Sequence, residues 1–92
     1  MTRTEVLQKA AECVSGRRTV DYGKPENSFN DIAVLWSWYL GRPVTGGDVA
    51  VMMGLLKVAR IKGNTNSPAP DNFVDLAGYA ACAGEIMTAN RR

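Results

Sequence analysis

The segment over residues 45–63, TGGDVAVMMGLLKVARIKG, constrains the fold more than any other part of the chain. It opens with a threonine three residues before Asp48, the spacing of a capping box, and it closes on a glycine, so both ends of a helix are written into it. Between those ends Val49, Val51, Met52, Met53, Leu55, Leu56 and Val58 cover most of the circumference at about 100° per residue. A helix that is apolar nearly all round is expected to be buried.

Three further segments carry the same period. In TRTEVLQKAAECVSG, residues 2–16, Thr2 and Glu5 repeat the capping-box spacing, and Val6, Leu7, Ala10, Cys13 and Val14 recur at helical intervals. NSFNDIAVLWSWYLG offers Asn27 or Ser28 as a cap, with Phe29, Ile32, Leu35, Trp36 and Tyr39 spaced helically up to Gly41. After the proline-bearing surface loop NTNSPAP, a fourth helix, DNFVDLAGYAACAGEIMTAN, begins at about Asp71. No segment alternates with period two and no internal repeat is visible. The expectation is an all-α fold, a compact bundle of about four helices at 4–15, 28–40, 46–62 and 71–88, forming a single domain over 1–92.

Composition narrows the chemistry. No apolar run approaches the ~20 residues of a membrane-spanning helix, and no signal-peptide succession opens the chain, so a soluble, cytoplasmic protein with no membrane partner is expected. Cys13 and Cys82 lie outside any CxxC arrangement, among alanines on helical patterns, as structural thiols do. A net charge of +2 is too small to argue for a nucleic-acid partner. With no histidine in 92 residues, Ser-His and Cys-His nucleophiles and Cys/His zinc sites are excluded, and the absence of GxxxxGK[ST] removes a Walker loop. Catalysis is left with Mg²⁺ held by several converging acids, drawn from Glu26, Asp31, Asp48, Asp71, Asp75 and Glu85; no other cofactor is implied.

Two cations interrupt the apolar third helix. Lys57 and Arg60, at i,i+3, point to one side within about one turn and call for a negative partner, unless both reach the surface near the carboxyl end of the helix. On the fourth helix Asp71, Asp75 and Glu85 share a face with Gly78 and Cys82. A buried Asp75 paired with Lys57 or Arg60 is one explanation; a polar pocket, with cations on phosphate and carboxylates on sugar hydroxyls, base amines or a metal, is the other. The small residues of AGYAACAG let helices approach closely, within the domain or between the subunits of a homo-oligomer. The loop VDYGKPENSF, residues 20–29, holds more polar chemistry than a turn requires. It reads as a pocket wall shaped by Gly23 and Pro25, with Tyr22, Lys24 and Asn27 toward a ligand, or as a plain connection in which Tyr22 plugs the core and Asp21 caps a turn.

Taken together, DYGKPENSFNDIAVLWSWYLG, TGGDVAVMMGLLKVARI and DNFVDLAGYAACAGEI resemble a small domain family of unknown function from tailed bacteriophages and prophages, over nearly the whole chain. The matching positions are Asp21, Tyr22, Gly23, Pro25, Phe29, Trp36, Asp48, Lys57, Arg60, Asp71, Asp75, Gly78 and Tyr79. A fainter similarity is to the MazG-type all-α nucleotide pyrophosphohydrolases, which carry paired acids on two successive helices where this chain has only Asp48 on its third. The phage resemblance and the mixed charges imply a protein that binds a nucleotide, cyclic or linear, without catalysis, such as a sponge for a nucleotide immune signal of the host. Lys24, Lys57 and Arg60 would then meet phosphates, Tyr22 or Trp36 would stack on a base, and Asp71 and Asp75 would read ribose or exocyclic amines. The alternatives are a Mg²⁺-dependent nucleotide pyrophosphohydrolase and a structural or partner-binding helical protein.

Overall fold

Local capping chemistry sets most of the helix ends in the computed structural model, which describes residues 1–15 and 25–89. Helix α1 spans Arg3–Ser15, α2 Pro25–Leu40, α3 Gly46–Gly63 and α4 Pro70–Thr88, and no strand occurs among the described residues. The all-α expectation holds. At α1, Thr2 Oγ1 accepts from the Glu5 amide at 3.1 Å while a Glu5 carboxylate oxygen accepts from the Thr2 amide at 3.1 Å. The Thr2 amide, with the Thr2 hydroxyl second, favours the charged carboxylate and holds the Glu5 pKa below its ordinary value. Thr45 and Asp48 form the same reciprocal box at α3, with distances of 3.0 and 3.1 Å.

Two helix starts differ from the sequence expectation. Helix α2 begins at Pro25, ahead of the expected caps Asn27 and Ser28, because proline is preorganised for the first helical position and lacks only an amide that has no intrahelical acceptor there. The same preference starts α4 at Pro70, with Ala69 at the cap position and no side-chain cap; Asp71 is thus a first-turn charge and not the cap.

Helix α2 stops at Gly41, whose φ of 68° lies in the left-handed region and whose amide donates to the Ser37 carbonyl at 2.9 Å. The chain then folds back along α2, held by the Ser37 hydroxyl, which accepts from the Val44 amide at 2.8 Å and donates to the Val44 carbonyl at 3.2 Å. Nothing stands near a Cβ built on Gly41, so Gly41→Ala meets only backbone strain. We expect it to cost about 1 kcal/mol, read as a lower urea midpoint at unchanged slope.

Helices α3 and α4 pack antiparallel along their length: Gly47 lies against Ile86 and Met87, Gly54 against Leu76 and Tyr79, and Lys57 against Asp75. Absent side chains at Gly47 and Gly54 bring the two helices close. On another side of α4, Gly78 admits Val14 of α1, so small residues of the AGYAACAG stretch serve contacts inside the domain. The core lies where α2 crosses this pair: Phe29, Ala33, Val49, Ala50 and Ala83 are buried, flanked by Ile32, Trp36, Val44, Met53, Tyr79, Cys82 and Ile86. No helix among the described residues is long and apolar enough to cross a membrane.

One expectation is overturned. Helix α3 is not buried all round; Val51, Met52, Leu55, Leu56 and Val58 form an exposed outer face. Only the side carrying Gly46, Gly47, Val49, Ala50, Gly54 and Lys57 is enclosed.

Candidate functional site

Lys57 and Arg60 lie on α3 and Asp71 and Asp75 on α4, the two helices that pack together along their length. Lys57 is the one charged residue buried among those described, because its position on α3 shares the enclosed face with Ala50 and Gly54. Its Nζ lies 2.9 Å from Asp75 Oδ2, with the two side chains 11% and 32% exposed. Of the two partners considered for Asp75, the fold selects Lys57. The pair is charge-assisted and strong in this partly desolvated setting, and it fixes α3 against α4 one turn from the Phe29–Tyr79 ring contact, whose centroids are 6.1 Å apart at 55°.

Arg60, one turn further along α3, is exposed, and so is Asp71 on the first turn of α4. Both belong to the end of the α3–α4 pair where Lys57 and Asp75 meet. Asn27 is exposed on the first turn of α2. Trp36 is half-buried and packs against the core, so much of its ring is committed to protein. Tyr22 and Lys24, with Asp21 and Gly23, lie outside the described residues. The structure therefore brings Lys57 and Asp75 into contact, sets Arg60 and Asp71 near that end of the bundle, and leaves Trp36 with the core.

Among the described residues, no three acidic or thiol side chains come together in a group able to hold a metal ion. Asp48 is spent on its cap, Asp31 is exposed on α2, and Glu85 lies three turns along α4 from Asp75. Sequence reasoning passed over Trp38, which is 82% exposed, and set Leu35 and Tyr39 on the apolar stripe of α2, where the structure leaves both exposed. The signal was present: at 100° per residue Trp38 falls opposite Phe29 and Ala33, the residues that reach the core.

A family model described as a domain of unknown function (DUF6378) matches residues 5–87. The chain is 42% identical over 81 residues to the Gene 55 protein of Mycobacterium phage D29, covering 88% of this chain and 52% of that protein. It is 45% identical over 76 residues to the Gene 55 protein of Mycobacterium phage L5, covering 82% and 47%. The chain thus spans about half the length of the curated relatives it matches. No solved structure matches it. The resemblance stated from the motifs, to a small phage domain family of unknown function, is borne out.

Proposed function

We propose that the chain, which belongs to the DUF6378 family of phage domains, binds a nucleotide without transforming it. The observation that carries this reading is the division of labour between the two cations of α3. Lys57 spends its charge on Asp75, whereas Arg60, one turn on, is exposed at the end of α3 that runs toward the start of α4. A planar fork of this kind grips phosphate bidentately, and the adjacent α4 amides lack a side-chain cap and favour anions. Asp71 is the acid available for ribose hydroxyls or exocyclic amines. Of the other residues named for the ligand, Tyr22 and Lys24 lie outside the described residues, Asn27 is exposed on the first turn of α2, and Trp36 is held by the core.

Binding is favoured over Mg²⁺-dependent pyrophosphohydrolysis because the described acids do not converge. In a phage protein, the more specific form of this reading is sequestration of a nucleotide signal made by the bacterial host. A partner-binding role draws its support from the exposed apolar residues on α2 and α3.

Titration calorimetry with a panel of cyclic and linear nucleotides tests the reading. A member of the panel is expected to bind, and Arg60→Ala is expected to lose roughly 2–5 kcal/mol of that binding, well over tenfold in affinity. Its melting temperature should stay within a few degrees, since Arg60 is exposed. The bound nucleotide should be recovered intact after incubation with Mg²⁺. Steady release of pyrophosphate, lost in Asp75→Asn, would establish the hydrolase in its place, and no binding by any nucleotide would end the proposal.

A further inference from the structure

The outer face of α3 carries an exposed apolar line between an acid and a base. Along it run Asp48, Val51, Leu55, Val58 and Lys62, at the alternating three- and four-residue steps that keep one line on a helix, with Met52 and Ala59 beside them. The apolar members of the line are exposed, and Leu55, at its centre, is 61% exposed. Val51, Met52, Leu55, Leu56 and Val58 together leave on the order of 450 Å² of apolar side chain in water, on one helix of a 10.0 kDa chain. With Ala59 and the stems at either end, the face supplies more than half of the roughly 800 Å² per partner of a standard interface, and a contiguous apolar patch of this size often marks an interaction site.

Charge selects the occupant. Asp48 stands seven residues before Leu55 and Lys62 seven residues after it, each about 10 Å from the centre. A two-fold axis through Leu55 makes the line self-complementary: Asp48 faces Lys62 of the second copy, Val51 faces Ala59, Met52 faces Val58, and Leu55 meets itself. Asp48 accepts the Thr45 amide at Oδ2, so its cap occupies one of its two carboxylate oxygens. Sliding the copies by one turn sets Asp48 or Lys62 against an apolar residue, which desolvates a charge without a partner. From the length, the apolar centre and the opposed charged ends of this face, we infer that the protein is a homodimer joined by antiparallel α3 helices crossing at Leu55.

The inference is independent of the nucleotide reading, since Arg60 lies off this line, and sedimentation velocity of the 92-residue chain tests it. The native chain is expected to sediment as a dimer, at twice 10.0 kDa, in the micromolar range. Leu55→Glu sets two like charges on the axis and should weaken association by at least ~100-fold while the helical circular dichroism is kept, because Leu55 is exposed. Lys62→Glu, at the exposed last turn, opposes two acids at each end and should weaken it in the same direction. On mild oxidation Leu55→Cys should give a covalent dimer, and Glu12→Cys on α1 should not. A monomeric native chain, or a dimer that Leu55→Glu leaves at native affinity, overturns the inference; the second result would place the contact on another face, such as that of Trp38 on α2.

Discussion

Phe29→Ala is expected to lower the melting temperature by about 15–30 °C, the largest effect of any single substitution considered. The reason lies in the makeup of the core. Its other buried members are Ala33, Val49, Ala50 and Ala83, so among the described residues Phe29 is the one large side chain that the cluster encloses. Truncating a buried phenylalanine typically costs 3–5 kcal/mol, counting both the lost transfer energy and the cavity left behind. Here the ring also leaves Tyr79, its tilted neighbour at 6.1 Å, and alanines lining the space cannot swing in to fill it. A domain of this size is stabilised by only about 5–15 kcal/mol in total, and each kcal/mol is worth about 4–8 °C. Trp38→Ala removes a larger side chain from the same helix, but one that is 82% exposed, and its melting temperature should move by only a few degrees. A calorimetric scan in which the two variants melt together would show that Phe29 does not anchor the core.

The contrast between Phe29 and Trp38 also marks what the sequence could reveal. Thr2 with Glu5, Thr45 with Asp48, and Gly41 each act on backbone groups within four residues, so their chemistry is local and the sequence alone predicts it. The enclosed side of α3 was harder to read, since an evenly apolar helix gives its periodicity no direction. A direction was nonetheless present: Gly46, Gly47, Ala50 and Gly54 fall on one side, and that is the side another helix approaches. Large apolar residues marked the face left in water; the absent side chains marked the core. The start of α2 was missed for a different reason, because Asn27 and Ser28 resemble caps when the preceding proline is read as part of a loop; α4 starts within one residue of the expected Asp71.

The partner of Asp75 depends on tertiary placement, since both Lys57 and Arg60 satisfy the helical spacing. Only the packing of α3 on α4 decides it, and the choice carries the second large effect. Lys57→Met keeps the aliphatic stem and removes the charge, leaving the Asp75 carboxylate without its 2.9 Å partner. For a fully buried pair that loss is about 3–5 kcal/mol; with Asp75 32% exposed, water screens part of it and we expect about 1–3 kcal/mol. Asp75→Leu alone should cost a similar amount by stranding the ammonium of Lys57, which is the more buried of the two. The double variant Lys57→Met/Asp75→Leu removes both charges and fills the site with apolar volume, so it should recover much of the loss and approach the native melting temperature. Additive single effects in this cycle would mean that the two side chains stabilise the fold through separate contacts. The cycle bears on the nucleotide reading as well. Arg60→Ala belongs outside it, with little change in melting temperature, and a substitution that lowers ligand affinity without touching the Lys57–Asp75 coupling is what a binding cation, distinct from a packing cation, requires.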